Sequence, residues 1–276
     1  MIHEKIHLNK FYSALENDPV LTSYCPDNFK EFSIGKVRKC VLILPGGAYR
    51  FVSEREAEPV ALRFAGQDIA CFVLNYTIAP NLKYPNPFVE VFAALSYIRR
   101  NANYYHIDVD KIAVLGFSAG GHLAAGSSAF CEQEEYANYL NIPLSEMKIN
   151  GCMLSYPVIS SEYGHAESIK NITQGRADLM EKMSLEKQIT PSFPKTFIWH
   201  TTFDNAVILK NSLALAMALH ENKVFLEMHI YPMLDHGQSL CDASVYAANF
   251  DKETLNKMKH NTQWIENAIH FVKEYL

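Results

Sequence analysis

A chain of 276 residues with 49% hydrophobic content can bury a large core, and α/β domains of this size are commonly single units, so one domain over residues 1–276 is expected. The formal net charge of −5 and a pI near 6.1, with lysines and arginines scattered among acids, argue against nucleic acid or an anionic membrane surface as a partner. Of 6 cysteines, Cys40, Cys71 and Cys152 lie in apolar strand-like runs without regular spacing, which reads as buried free thiols in a reducing compartment and not as a metal pair or disulfide framework.

Met1 to Lys10 alternates charged and apolar residues and builds no signal-peptide core. No apolar run approaches the roughly 20 residues that span a bilayer, and a cytoplasmic protein is expected. From Met1 to Lys36, Ile2, Ile6 and Leu8 suggest an edge strand, and Asp18-Pro19 and Cys25-Pro26-Asp27 suggest turns. Val37 to Leu44 reads as a strand that stops at Pro45-Gly46-Gly47-Ala48-Tyr49. Ser53-Glu54-Arg55-Glu56 has the pattern of a capping box opening a helix to about Gly66, with Glu54, Glu56 and Glu58 as a solvated first turn. Ile69 to Tyr76 is the next strand. Phe88, Val91, Phe92, Leu95 and Ile98 recur at helical spacing up to about Asn101.

Ile112 to Phe117 is an apolar, β-branched run that ends in Gly116-Phe117-Ser118-Ala119-Gly120 and passes into small residues compatible with a helix to about Phe130. This is the strand, sharp turn and helix of a nucleophile elbow, with Ser118 at its tip. A Cβ at Gly116 or Gly120 would clash with the backbone of so tight a turn. Strands are again expected at Gly151 to Val158, Thr196 to Thr202 and Phe225 to Tyr231, and helices at about Val207 to Glu221 and Glu253 to Tyr275. The first of these helices carries Leu209, Leu213, Ala216, Met217 and His220 on one face. Residues 159–194, with a weakly helical stretch from Ala177 to Lys187, are long for a simple crossover and suit either a cap or lid insertion or a crossover helix with long loops. Alternating strands and helices imply a mainly parallel sheet covered on both faces.

Three chemical groups then fall at the carboxyl ends of three parallel strands: Ser118, Asp204 and His236. Ligands bind at those ends in such sheets. A neutral His236 would take the Ser118 proton, and Asp204 would hold the imidazole in the right tautomer. An oxyanion would be met by the N–H groups of Ala119, Gly47 and Ala48. Rivals are His122 as base and Asp235 or Asp242 as its partner. His122 belongs to a helix packed on the sheet, Asp235 adjoins His236 in sequence, and His200 lies within a strand as a core histidine. Tyr49, Phe51, Tyr84, Tyr156 and Phe203 fall near strand ends, and Tyr49 and Tyr156 are candidate substrate contacts. No histidine spacing suits a metal.

The turn Pro45-Gly46-Gly47-Ala48-Tyr49, the elbow Gly116 to His122, the Asp204-Asn205-Ala206-Val207 segment and the Asp235-His236-Gly237 turn together resemble the α/β-hydrolase superfamily. Within it the chain is most similar to bacterial acetyl-xylan-esterase-like and hormone-sensitive-lipase-like carboxylesterases, from about Val37 to the C-terminus. Pro45-Gly46-Gly47-Ala48 stands where the lipase-like members carry His-Gly-Gly-Gly, a variant that resembles the sugar-esterase side. The resemblance implies an α/β-hydrolase fold and a serine hydrolase that cleaves short acyl esters through an acyl-enzyme, with acetyl groups on sugars or xylo-oligosaccharides as substrate and no cofactor. An arylformamidase or small exopeptidase would use the same triad. A binding protein on the same fold would be expected to lack one of its members.

Overall fold

The computed structural model describes residues 1–232, 235–246, 253, 256 and 258–276. Among these, eight strands build one sheet: β1 (Lys5–His7), β2 (Val20–Tyr24), β3 (Arg38–Leu44), β4 (Ala70–Asn75), β5 (Ile107–Phe117), β6 (Gly151–Ser155), β7 (Lys195–Thr201) and β8 (Leu226–Tyr231). Their order across the sheet is β1-β2-β4-β3-β5-β6-β7-β8. The first three pair antiparallel, and from β4 to β8 every neighbouring pair is parallel. The α-helices with ranges among the described residues are α1 (Glu58–Ala65), α2 (Asn86–Arg100), α3 (Ala102–Tyr105), α4 (Ala119–Phe130), α5 (Glu134–Leu140), α6 (Ala166–Thr173), α7 (Ala177–Lys182), α8 (Lys210–Glu221) and α9 (Gln263–Tyr275).

The near-continuous apolar strands follow from burial on both faces. In β3, Cys40, Leu42 and Leu44 join one core with Phe88, Val91 and Phe92 of α2 and Leu123 of α4. Val41 and Ile43 join the other with Val60 and Phe64 of α1 and Trp264 and Phe271 of α9. The two-residue period of a strand sends alternate side chains to opposite faces, and each fully buried one contributes roughly 1.5–3 kcal/mol. All six cysteines, at 25, 40, 71, 131, 152 and 241, are free and buried. Among the described residues no helix is long and apolar enough to cross a membrane.

Several expected elements are redrawn. β2 was not anticipated, because Val20-Leu21-Thr22-Ser23-Tyr24 carries three hydroxyl residues; Ser23 is buried and its hydroxyl serves Glu4 N–H and Ile2 C=O instead. The Ser53 capping box does not form. Residues Glu54–Glu56 make a 3₁₀ turn, Ser53 caps nothing, and α1 starts at Glu58, because the Glu56 side chain turns inward and not back to the helix start.

The face of α8 is also different: Asn211, Ser212, Leu215 and Leu219 are buried, while Leu213 and Met217 are exposed. Asn211 Oδ1 accepts from the N–H groups of Ile159 and Ser160, and the Ser212 hydroxyl meets His200 Nδ1. Buried backbone donors require such partners, and that requirement overrides apolar periodicity. The closing helix, expected over Glu253 to Tyr275, is described as α9; residues 254, 255 and 257 of that expectation lie outside the described residues, as do Met233 and Leu234.

The segment 159–194 forms α6, α7 and a 3₁₀ turn at Leu185–Lys187, so the weakly helical stretch expected from Ala177 to Lys187 holds α7 and that turn. It folds back over the strand ends: Leu185 N–H donates to Ile159 C=O, Gln174 Nε2 to Leu82 C=O, and Asn171 Nδ2 to Ala48 C=O at 2.8 Å.

Trp264 of α9 stacks on Trp199 of β7 with ring centroids 5.1 Å apart, and its Nε1 donates to Ser239 C=O. Both indoles are fully buried. Replacing Trp264 by Ala is expected to lower the unfolding free energy by about 3–5 kcal/mol, as read from urea denaturation, with the loop around Ser239 losing its anchor.

Candidate active site

Ser118 sits between β5 and α4 with φ 52° and ψ −117°, a conformation that an L-residue adopts only when its surroundings enforce it. The enforcement is visible in the backbone: Ser118 N–H donates to Ser155 C=O, and Ser118 C=O accepts from His122 and Val158 N–H groups. A Cβ on Gly120 would lie 2.1 Å from Leu44 O, and one on Gly116 would lie 2.2 Å from Gly120 O. The glycines of the elbow are thus required by close approach of β3, β5 and α4, as the sequence suggested.

Asp204 follows β7 and His236 follows β8. His236 Nδ1 lies 2.6 Å from Asp204 Oδ2, and His236 Nε2 lies 2.7 Å from Ser118 Oγ. A carboxylate only accepts, so this network assigns the His236 hydrogen to Nδ1 and leaves Nε2 to accept from the serine hydroxyl. Asp204 Oδ1 accepts from the N–H groups of Ala206 and Val207. Burial alone would raise its carboxyl, but hydrogen bonds from His200 and His236 prevail and hold it down to about 2.

His200 is a buried core histidine, but it has a second task that sequence reasoning missed. Its Nε2 lies 2.9 Å from Val207 O and 3.3 Å from Asp204 Oδ2, while Nδ1 meets the Ser212 hydroxyl. Val207 C=O can only accept, so Nε2 carries the hydrogen and faces the carboxylate as well. A further residue joins the loops: Asp235 Oδ1 accepts from the N–H groups of both His236 and Asn205. Asp235 therefore holds the two loops together through backbone and does not touch the imidazole. Asp242 pairs with Arg63, and His122 is buried, with Nδ1 at Tyr49 Oη and Nε2 at Met183 O. Burial pushes His122 down to about 4.

The turn after β3 supplies the remaining wall. Gly47, Ala48 and Tyr49 have φ of 130°, 55° and 56°, and the N–H groups of Gly47, Ala48 and Ala119 donate to no partner among the described residues. Ser118 and His236 open into a cavity of about 230 Å³ that Gly47, Ala48, Phe51 and His165 also line. Burial and the neighbouring His236 lower the pKa of His165. At the rim, Arg50 pairs with Glu167 at 3.4 Å. His165, Glu167 and Asn171 come from the 159–194 segment, whose one-sequence pattern carried no signal for them.

Two expectations are corrected. Tyr49 and Tyr156 are buried behind the cavity wall and do not line it. The Tyr49 hydroxyl meets His122, while the Tyr156 ring packs edge-on against His236 at 5.0 Å and its hydroxyl donates to Glu56. Glu56, expected in solvent, is 3% exposed. Among the described residues no cluster of three or more His, Cys, Asp or Glu could hold a metal ion.

Residues 26–219 match the BD-FAE family. Among curated proteins, endo-1,4-beta-xylanase B of Butyrivibrio fibrisolvens is 32% identical over 76% of this chain and 34% of its own length. The acetylxylan esterase of Xylanibacter ruminicola is 27% identical over 72% of this chain and 41% of its own. The chain thus spans little more than a third of the length of these relatives. Among solved structures, a carboxylesterase from Lactobacillus plantarum WCFS1 superposes with a TM-score of 0.88 at 26% identity, covering 99% of this chain and 98% of that one. An acetyl ester-xyloside bifunctional hydrolase from Caldicellulosiruptor lactoaceticus superposes with a TM-score of 0.77 at 30% identity, covering 96% of each.

The Asp204 carboxyl at about 2 lies below its unfolded value of 3.8. The native state therefore releases this proton more readily, and the stabilisation is present above pH ~4 and lost as pH falls toward 2. Asp204→Asn is expected to cost about 2 kcal/mol of unfolding free energy at pH 6, with the difference from wild type narrowing by pH 3 in urea titrations.

Proposed function

The chain belongs to the BD-FAE family and has the α/β-hydrolase fold, and from that premise we propose that it is a serine carboxylesterase acting on short acyl esters. The observation that carries this reading is His236 bridging Ser118 Oγ at 2.7 Å and Asp204 at 2.6 Å. Ser118 attacks the ester carbonyl as His236 Nε2 takes its proton. Asp204 holds Nδ1–H and stabilises the imidazolium that results. The tetrahedral oxyanion is met by the free N–H groups of Gly47, Ala48 and Ala119, each such donor being worth roughly 3–4 kcal/mol of barrier. His236 then returns the proton to the leaving alcohol, and water admitted in its place is activated by the same imidazole to release the acid from Ser118.

Substrate class rests on space and on kinship. A cavity of about 230 Å³ is small beside the ~300–1,000 Å³ of drug-sized sites, which suits an acetyl group better than a long chain. The acetylxylan esterase and the acetyl ester-xyloside hydrolase among the similar proteins support a sugar as the alcohol. The segment 159–194 serves as the cap, contributing His165 and Glu167 to the cavity wall.

Hydrolysis of nitrophenyl esters from acetate to octanoate, together with acetylated xylo-oligosaccharides, tests the reading. Acetate is expected to be turned over fastest, with Ser118→Ala and His236→Ala falling by about 10⁵-fold or more in kcat and Asp204→Asn by about 10⁴-fold. Equal rates for wild type and Ser118→Ala on every ester would sink it, and turnover of formamides or peptides alone would move the chain to a different leaving group.

A further inference from the structure

Glu56 is a buried acid that the chemistry above leaves unused. The residue is 3% exposed, packs against the turn that contains Gly46 and reaches the edge of the cavity that Ser118 and His236 line. Oε2 accepts from Gly46 N–H at 2.7 Å, and a Cβ added to Gly46 would come within 2.8 Å of that oxygen and 3.0 Å of Ser118 Cβ. Oε1 accepts from the Tyr156 hydroxyl at 2.7 Å. The Tyr156 oxygen in turn accepts from Ser239 N–H at 2.8 Å, and Ser239 lies three residues beyond His236 on the same loop. The Tyr156 ring packs edge-on against the His236 imidazole, and the Ser239 hydroxyl donates to Arg55 C=O, next to Glu56 in the chain.

Among the described residues no Lys, Arg or His forms an ion pair with Glu56. Burial raises the Glu56 carboxyl, and its hydrogen bonds to Tyr156 and Gly46, with the charges of His236 and Arg55, offset this only in part; a smaller or apolar residue would fill the space at less expense if filling were all that was needed. What the carboxylate has, and an amide lacks, is two oxygens that both accept. Both are used, one by each wall of the site.

We propose that Glu56 is a positioning residue that fixes the oxyanion-binding turn and the His236 loop relative to each other, through Gly46 on one side and Tyr156 and Ser239 on the other. This rests on the serine esterase reading. The two walls belong to segments nearly two hundred residues apart in the chain, and the donors and the imidazole act on the same carbonyl carbon. A displacement of about 1 Å between them is enough to cost roughly 10²-fold in rate without weakening substrate binding.

The test uses Glu56→Gln, Tyr156→Phe and the double variant, with active sites titrated by a fluorophosphonate and the fold checked by circular dichroism. The amide of Glu56→Gln offers one acceptor where two are used. For 4-nitrophenyl acetate, kcat per titrated site is expected to fall roughly 10- to 100-fold in Glu56→Gln, with KM within about threefold of wild type. Tyr156→Phe is expected to fall less, and the double variant to be no slower than Glu56→Gln, since both cut one chain of bonds. A purely structural role would lower the melting temperature and the fraction of titratable sites while leaving kcat per site within about twofold of wild type, and that result overturns the proposal. If Glu56→Gln does not fold, Tyr156→Phe, which removes a single oxygen, decides it by the same criterion. A wild type that hydrolyses no ester and takes up no fluorophosphonate defeats the esterase reading itself, whereas an active wild type with indifferent variants defeats only the role of Glu56.

Discussion

The backbone of Ser118, held at φ 52° where β5 gives way to α4, is the constraint on which the rest of the structure depends. So strained a turn persists only if it is gripped from all sides, and each grip prescribes a neighbour. Ser155 C=O on β6 takes its N–H, and Leu44 O of β3 comes so close that residue 120 can carry no side chain. Parallel strands buried on both faces supply that rigidity, since neither β3 nor β6 can shift without disturbing two packed cores. The same geometry places the start of α4 directly after Ser118, and the Ala119 N–H there donates to no partner among the described residues.

Around this fixed serine the polar groups form a graded series. Asp204 is buried completely yet stays ionised, because two histidines and two backbone N–H groups surround it. Its charge is what keeps the hydrogen of His236 on Nδ1, and so keeps Nε2 available to Ser118. Asp235, one residue away in sequence, binds only backbone and serves to join the β7 and β8 loops. The two acids thus differ in task because Asp204 is reached by imidazoles as well as amides, and Asp235 by backbone N–H groups alone.

The residues that end parallel strands were legible in the sequence. Ser118 and Asp204 follow apolar strands and His236 follows the alternating strand β8, and topology alone gathers such ends on one side of a sheet. What the sequence hid was decided by partners from elsewhere in the chain. Glu56 sits in an acidic run that looks solvated, and nothing within the run distinguishes it from Glu54; only the approach of Gly46 and Tyr156 does so. The buried face of α8 was misjudged because Asn211 and Ser212 answer to the backbone of residues 159 and 160 and to His200, not to hydrophobicity. Tyr49 and Tyr156 stand at strand ends as expected, but their hydroxyls are claimed by His122 and Glu56, which turns both rings away from any ligand.

Asn171, on α6 of the 159–194 segment, donates to the carbonyl of Ala48. The peptide whose oxygen it holds follows directly on the N–H groups that face the cavity, so the segment that shapes the pocket also steadies the donors. A change in that segment therefore reaches the turn after β3 as well as the cavity. Any replacement of α6 would have to preserve a donor at this one position or find another brace for the turn. Asn171 is thus a point of the segment tied to the turn after β3, whatever the residues around it do at the cavity.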